Sequence, residues 1–481
     1  MKTYLDYFLQ SINDNEGDIS LVDDRSSYGR KQIRFILKQY IDWIDKFDIK
    51  PREKVILLSE RNARSVIFFH ALLLSDLIPV LIDRTLASDQ INNLSKDFKK
   101  FTSKKDLASE SIVLIPTIEI PPSEKSVPDF LYKFSNSEGH HLFATHTSGT
   151  TDMPKLITYT NKNITWAVEQ YQQLYNLGTN RNVLFALPFH YCFGFIACCL
   201  SPLSLGGKIV LLSEKESDPE YIAGQIESNR VNILVINPFF YIQLCKIDLS
   251  KYDFSFLKVC DSGGEILPIE VIKKFEEQTN VLITEGYGLT ETTSLIHFLT
   301  PDSKGALRLG SVGKPCSGAL CRIVDQNSGD LPTGEIGELL VKGPMVIDSY
   351  DDPKYNQDAF INGWFKTGDL FYKDRDDYYF LVGRKKDAAS VPNELHVKVS
   401  RAVPALIQLS NIIDLAYKFI DNTHLMIYVI PEYKTVETRK NIEKEIKKSL
   451  SKELREIVQV KFVDSVPRTA TGKVQRRKLN Q

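Results

Sequence analysis

The sequence predicts an α/β protein. It should have a large N-terminal domain with parallel-rich sheets and a small β-barrel subdomain, then a small α+β C-terminal domain. Three observations predict it. Short apolar runs alternate with helical runs through the first half, the pattern of largely parallel α/β sheets. After Gly305 the texture changes to short strands and turns. Beyond Lys386 and Asp387 lies a unit of about a hundred residues, a usual domain size, with an amphipathic helix of its own.

The elements follow in order. Ile33 to Phe47 mixes apolar and polar residues at helical spacing. "KVILLSE", "SVIFFHALLLS" and "IPVLID" then read as strand, helix, strand. The alternation returns at "NVLFALP", "FGFIACCLSPLSLGG", "KIVLLS", "YIAGQIESNR" and "VNILVINP". Apolar runs bounded by Gly, Pro or Asp suit strands buried on both faces. "GELLVKGPMVIDSY", "GWFKTGDLFYKD" and "DDYYFLVGRKKD" form the β subdomain. In "NIEKEIKKSLSKELREI", Ile442, Ile446, Leu450, Leu454 and Ile457 make one apolar stripe, predicting one helix. "VQVKFVD" follows as a strand, and "SVPRTATGKVQRRKL" as a basic, loop-rich tail.

Bulk properties exclude several classes. A chain of 481 residues is too long for one compact core. With 43% hydrophobic and 25% charged residues it has an ordinary globular composition. A net charge of −1 gives no general attraction to nucleic acid or anionic lipid. "MKTYLDYFLQSINDNEG" lacks the apolar core of a signal peptide. The most apolar stretch, "VIFFHALLL", is too short to span a bilayer. Seven cysteines without paired spacing predict free thiols and a cytoplasmic location, with neither disulfide framework nor zinc site.

Five segments carry chemistry. "THTSGTTDMPKLI" (Thr145 to Ile157) gathers hydroxyls, a glycine and Lys155, the makings of a phosphate cradle, although it lacks the P-loop pattern. "ITEGYGLTETTS" sets Tyr287 between Gly286 and Gly288, predicting an exposed aromatic face on a tight turn. In the same segment Thr290 and Glu291 form a hard-oxygen pair suited to Mg²⁺. "GWFKTGDLFYKD" places Asp369 where it can accept hydrogen bonds from a ribose. "GRKKD" supplies Arg384, able to reach phosphate or ribose. "PRTATGKVQRRKL" carries Lys473 on the tail.

In this order, with "SGGEILPIE", "GSVGKPCSG" and "TGEIGELLVKGP", these segments resemble the adenylate-forming superfamily of acyl-CoA and aryl-CoA ligases, luciferases and peptide-synthetase adenylation domains. The resemblance runs from about Val55 to Leu479. It implies a large ATP- and acid-binding domain over residues 1–385 and a mobile lid over 386–481, hinged at Lys386 and Asp387. It implies activation of a carboxylic acid by ATP and Mg²⁺, with pyrophosphate released, then transfer to CoA or a carrier protein's phosphopantetheine, with AMP released.

The same resemblance assigns roles. Thr147, Ser148, Gly149, Thr150, Thr151 and Lys155 would hold the β- and γ-phosphates. Gly263, Gly264 and Glu265 would line the adenine site, with Tyr287 stacked on the base. Thr290 would contact the α-phosphate and Glu291 hold Mg²⁺. Asp369 would bind the ribose, helped by Arg384. Lys473 would bridge the carboxylate and the α-phosphate. His190, in "LPFHYCFGF", would gate the carboxylate. Phe189, Phe193, Gly194 and Phe239 would shape the acid pocket, with Gly286 and Gly288 beside it. Amino-acid-activating relatives place an aspartate near "LPFHYCFGF". This chain has none there, which favours an aryl or alkyl acid without an α-amino group.

The chain departs from the family pattern in two places. Asp152 and Leu156 stand where the family has glycines. After the hinge, Ser390 and Asn393 replace a lysine and a glycine, with Pro392 between them. Asparagine is the residue that best keeps a positive-φ turn without glycine. These changes bear on the acceptor, CoA or carrier protein. They also motivate the alternative of a non-catalytic sensor or scaffold that binds nucleotide or acyl-adenylate.

Overall fold

A computed structural model describes residues 2–14, 19–58, 60–83, 98–103, 105, 109, 112–120, 129–130, 137–147, 155–176, 180–212, 218–388, 392–421, 423–469 and 473–480. Four sheets organise them. The largest has nine strands. Six of these, Ser20–Asp23, Lys208–Leu211, Asn182–Phe185, Ile233–Ile236, Val259–Gly263 and Ile283–Tyr287, run parallel as neighbours in that order. The antiparallel strands Ser26–Gly29, His297–Phe298 and Lys314–Pro315 finish its edges. A six-stranded sheet is parallel from Val113–Leu114 across to His141–His146, and closes with an antiparallel partner, Leu156–Thr160.

The continuous apolar runs became central strands because both faces are covered. Val55, Ile56, Leu57 and Leu58 are all buried, as are all four residues of Ile233–Ile236. Helices start where a polar cap follows a strand. Asn62 accepts from the Ser65 N–H to open Ala63–Leu74, and Asn237 accepts from the Phe240 N–H to open Pro238–Leu244. The run "FGFIACCLSPL" lies in one helical stretch, Cys192–Phe195, Ile196–Leu200 and Ser201–Leu203, whose middle turn is π. Cys198 and Cys199 are buried there, and all seven cysteines are free thiols. No helix among the described residues is long and apolar enough to cross a membrane.

The predicted β subdomain is a five-stranded antiparallel sheet, with the long strand Trp364–Lys373 pairing Gly337–Lys342, Phe360–Ile361 and Tyr379–Arg384. Leu320–Val324 pairs only Gly337–Lys342 among the described strands, so the sheet stays open at that seam where a barrel would close. After Ala388 come the helix Asn393–Ala405 and a three-stranded sheet of Ile412–Phe419, Leu425–Pro431 and Val458–Phe462. Val399, Val403, Ile427, Ile442, Ile446 and Leu454 form a hydrophobic cluster distinct from the main core.

Two local expectations are corrected. The stripe from Ile442 to Ile457 is not one helix but two, Val436–Ser449 and Lys452–Ile457. Leu450 is extended and Ser451 caps the second helix by accepting from the Leu454 N–H, so a local hydrogen bond overrides the periodicity. The stripe residues Ile442, Ile446, Leu450 and Leu454 are still buried. Asn393 does not hold a positive-φ turn. It is the first residue of its helix, which Pro392, extended and without an N–H, introduces.

Candidate active site

A deep cleft opens between the C-terminal edge of the parallel strands and the tail that carries Lys473. It is lined by Thr147, Lys155, Phe193, Phe239, Gly263, Gly264, Glu265, Gly286, Tyr287, Gly288, Thr290, Glu291, Asp369, Arg384 and Lys473. Ligand sites in open α/β sheets form at this end of the strands. Residues more than three hundred positions apart in sequence therefore share one cavity.

The tail is fixed in the cleft by local pairing. Arg468 and Val474 form an antiparallel bridge, and the Lys473 N–H donates to Thr469 Oγ1 at 3.1 Å. The Val474 N–H also donates to Glu265 Oε1 at 3.4 Å, and the Arg468 guanidinium lies 5.6 Å from the Phe239 ring centre. Lys473 Nζ consequently lies 5.7 Å from the centre of the Tyr191 ring. Burial pulls its ammonium below the usual lysine value. Glu265 opposes that shift, Arg384 adds to it, and Cys192 and Asp369 oppose it further.

Gly264 is where glycine is required. Its φ is +93°, and a β-carbon there would lie 2.5 Å from the Tyr191 hydroxyl. Tyr191 is 8% exposed at the cleft wall, so relieving the contact means shifting its ring. Gly264→Ala is expected to cost roughly 1–3 kcal/mol of stability from strain alone and to displace Tyr191 from Lys473. A thermal melt alongside a turnover assay checks both effects, and an unchanged melt would contradict the geometry.

Asp369 and Arg384 face each other across antiparallel strands. Arg384 Nε is 3.0 Å from Asp369 Oδ1, and the Tyr287 hydroxyl donates to Oδ2 at 2.7 Å. Burial raises the carboxyl of Asp369 above its usual range, against the lowering pull of Arg384 and Tyr287. The exposed aromatic face predicted for Tyr287 is corrected here. Phe371 packs edge-on against the ring at 4.8 Å and His297 at 5.8 Å, leaving it 7% exposed at the cleft wall.

Glu291 lies in the short turn Thr290–Thr292, where its Oε1 accepts from the Tyr350 hydroxyl at 2.7 Å. The Thr290 carbonyl accepts from the Tyr159 hydroxyl, also at 2.7 Å. Thr147 and Lys155 clamp the base of the Ser/Thr-rich loop. The Thr147 N–H donates to the Lys155 carbonyl at 2.9 Å, and the Lys155 N–H donates to Thr147 Oγ1 at 3.3 Å. Lys155 Nζ sits between the rings of Tyr350 and Tyr355, at 4.6 and 4.7 Å. Ser148, Gly149, Thr150, Thr151 and Asp152 lie outside the described residues, as does Ser390.

Three expected pocket residues do not line the cleft. Phe189 is a core side chain, with its ring 4.9 Å from that of Phe195. Gly194 serves packing, since a β-carbon would come within 2.5 Å of Leu187 Cβ. His190 turns toward Asp83, with Nε2 3.6 Å from Oδ2, and its carbonyl accepts from Thr145 Oγ1 at 2.9 Å. Conversely, Tyr191, Cys192, Tyr350 and Arg468 line the cleft and were not anticipated. Tyr191 directly follows His190, so neighbourhood was the available signal. Tyr350 ends "GPMVIDSY" with no spacing that marks it.

Glu285 also lines the cleft, and its Oε2 has no hydrogen-bond partner. Burial pushes its carboxyl up to about 8, held back by a hydrogen bond from the Leu267 backbone. In the unfolded chain it ionises near its ordinary 4.5. Its contribution to stability is therefore full below about pH 4.5 and is lost as pH rises through about 8. Glu285→Gln should melt above the unaltered protein by a margin that grows over that window. Thermal melts across it check the sign, and a flat margin contradicts it.

The fold and cleft define a class of α/β protein with a cleft of charged and aromatic residues at the C-terminal edge of its parallel strands, and comparison with known proteins gives its family. The AMP-binding enzyme family profile matches residues 8–351, and the chain belongs to that family. It is 32% identical over 249 residues, half of this chain and 43% of the relative, to a long-chain-fatty-acid–CoA ligase from Bacillus subtilis. It is 27% identical over 349 residues, 70% of this chain and 65% of the relative, to benzoate–CoA ligase from Thauera aromatica. The chain thus matches under two thirds of the length of each. A benzoate CoA ligase structure from Burkholderia xenovorans superposes with a TM-score of 0.84 at 20% identity, covering 100% of both chains. That likeness establishes the fold.

Proposed function

We propose that this protein is an AMP-forming acid–thiol ligase. It would couple ATP to a carboxylic acid, releasing pyrophosphate, and pass the acyl group to CoA with release of AMP. The observation that carries this reading is the meeting of Lys473 with Glu265, Asp369, Arg384 and Glu291 in one cleft. One cation there serves the approach of two anions, while a buried carboxylate and a guanidinium flank it.

In the first step a carboxylate oxygen of the acid attacks the α-phosphorus of ATP, and the bond to the bridging oxygen of pyrophosphate breaks. Lys473 offsets the repulsion between carboxylate and phosphate and the charge spread over the phosphoryl oxygens. Asp369 accepts from the ribose hydroxyls with Arg384 beside it. Thr147 and Lys155, which pair with each other at the cleft, would help hold the outer phosphates. In the second step a thiolate attacks the acyl carbon, and the bond to the AMP oxygen breaks.

Mg²⁺ fits the residues present. No group of three or more His, Cys, Asp and Glu among the described residues could cage a metal, but Glu291 lines the cleft beside Thr290. One carboxylate plus substrate phosphates is a usual Mg²⁺ environment. When bound, the ion would neutralise phosphate charge, with Glu291 as its protein ligand and Tyr350 orienting that carboxylate.

The acid is read as aryl or alkyl without an α-amino group. Phe193, Phe239 and Ile242 give the cleft an apolar wall. The tail and the unit after Lys386–Asp387 are read as a lid that turns about that hinge between the two steps, with CoA or a carrier-protein arm as acceptor. Free thiols throughout the chain support a reducing, cytoplasmic setting.

Pyrophosphate release with a panel of aryl, short-chain and long-chain acids tests the reading, repeated with CoA and with a carrier protein. Acid-dependent release is expected. ATP binding without release for any acid would reject it.

A further inference from the structure

One side chain in the cleft touches both a cation and an anion. The Tyr350 hydroxyl donates to Glu291 Oε1 at 2.7 Å, and the centre of the same ring lies 4.6 Å from Lys155 Nζ. The Tyr355 ring stands edge-on to that of Tyr350, 6.0 Å away, and lies 4.7 Å from the same ammonium. All four residues line the cleft. Among the described residues no ion pair joins Lys155 to Glu291, although both rest on Tyr350.

Tyr350 is 4% exposed, and its backbone is tied on both sides. Its N–H donates to Asn356 Oδ1 at 2.7 Å, and Asn356 Nδ2 donates to its carbonyl at 3.2 Å. Three residues earlier, the Ile347 N–H donates to the Glu291 carbonyl at 3.0 Å. One residue later, the Asp351 N–H donates to the carbonyl of Leu156, the neighbour of Lys155, at 3.2 Å. The Asp351 carboxylate accepts from Thr158 Oγ1 at 2.8 Å and pairs with Lys54. The ring is therefore fixed between the two segments that carry Lys155 and Glu291. An ammonium and a carboxylate against one side chain gain by closing on each other where water is partly excluded. Tyrosine gives each a separate partner, because its ring face is the negative side of the quadrupole and its hydroxyl is a donor. An aliphatic residue would satisfy neither.

We infer that Tyr350 is a positioning residue that holds Lys155 and Glu291 apart, so that a magnesium nucleotide meets two free charges and not an ion pair. The inference rests on the acid–thiol ligase reading, which gives Lys155 the outer phosphates and Glu291 the metal. It goes beyond the orientation of one carboxylate, because ring and hydroxyl act on different charges. Losing the hydroxyl frees Glu291 alone. Losing the ring as well lets Lys155 swing to Glu291, and each then cancels the charge the other should offer to the nucleotide.

The test is calorimetric titration of the full chain with ATP, with Mg²⁺ present and with metal removed by a chelator, and with AMP, which lacks the outer phosphates. Tyr350→Phe keeps the ring and loses the hydroxyl. It should leave metal-free ATP affinity unchanged and raise the Mg²⁺ concentration that half-maximally tightens ATP binding by roughly 10- to 100-fold, the effect of losing a metal ligand's partner. Tyr350→Leu should also weaken metal-free ATP binding by roughly fivefold or more, because ATP must first break a partly buried ion pair. Adding Glu291→Gln to Tyr350→Leu removes the carboxylate that captures Lys155. Metal-free ATP affinity of that double variant should therefore equal that of Glu291→Gln alone. AMP affinity should stay constant in every variant, which separates this role from misfolding. A loss in Tyr350→Leu that persists beside Glu291→Gln, an equal loss for AMP, or an unmoved Mg²⁺ requirement in Tyr350→Phe overturns the spacing role and leaves acid activation standing. ATP binding without acid-dependent pyrophosphate release in the unaltered protein overturns the ligase reading, and the titrations still decide the role of Tyr350. No ATP binding by the unaltered protein overturns both.

Discussion

Lys473→Ala is expected to lower acid-dependent pyrophosphate release by roughly 10²–10³-fold, the size of effect seen when one preorganised electrostatic donor is removed. ATP should still bind. Lys473 is a cleft cation carried by the C-terminal tail, pinned by the Arg468–Val474 bridge and lying over the Tyr191 ring. Burial lowers its ammonium below the usual lysine value, against the raising pull of Glu265 and Asp369. Two anions entering would add to that pull and draw on the charge most strongly as they react. Asp369, Arg384, Glu265 and Thr147 remain in the variant, so ground-state nucleotide binding survives. Pyrophosphate release and ATP titration on the same protein separate the two effects. Unchanged release would remove Lys473 from this role.

Asp369→Ala should weaken ATP binding and the fold together. The carboxylate is 3.0 Å from Arg384 Nε and accepts the Tyr287 hydroxyl at 2.7 Å. Removing it leaves that hydroxyl unpaired in a buried site, a cost of about 1–3 kcal/mol. Arg384 is 43% exposed at its side chain, so water recovers much of its own loss. A ribose hydrogen bond to a charged group is worth about 1.5–3 kcal/mol, or roughly 10- to 100-fold in ATP affinity. Asp369→Asn should fall between, because its amide oxygen still accepts. A lower melting temperature with unchanged ATP affinity would make Asp369 purely structural.

Much of this was legible in the sequence, for physical reasons. Runs such as Val55 to Leu58 and Ile233 to Ile236 are apolar at every position, because central parallel strands are buried on both faces. Lys473, Asp369, Arg384, Glu291 and Lys155 stood out through the ordered resemblance to the adenylate-forming superfamily, each being an ordinary surface or turn charge when taken alone, and all five line one cleft. What failed were inferences from neighbourhood. Phe189 and Gly194 share a segment with Phe193, yet Phe189, in the turn before the helix, packs on Phe195, and Gly194 lies against Leu187. Tyr287 lies between glycines as expected, but Phe371, distant in sequence, covers its face. The break at Leu450 depends on one serine cap, which a stripe of apolar residues does not reveal. Tyr350 acquires meaning only from a tertiary contact, its hydroxyl bond to Glu291.

The measurement that bears most directly on acid–thiol ligation is product stoichiometry with ATP, Mg²⁺, an activated acid and CoA. One pyrophosphate, one AMP and one acyl thioester are expected per ATP consumed, with no consumption when the acid is omitted. ATP that binds but yields neither pyrophosphate nor thioester with any acid would contradict it and make the cleft a nucleotide-binding site without turnover.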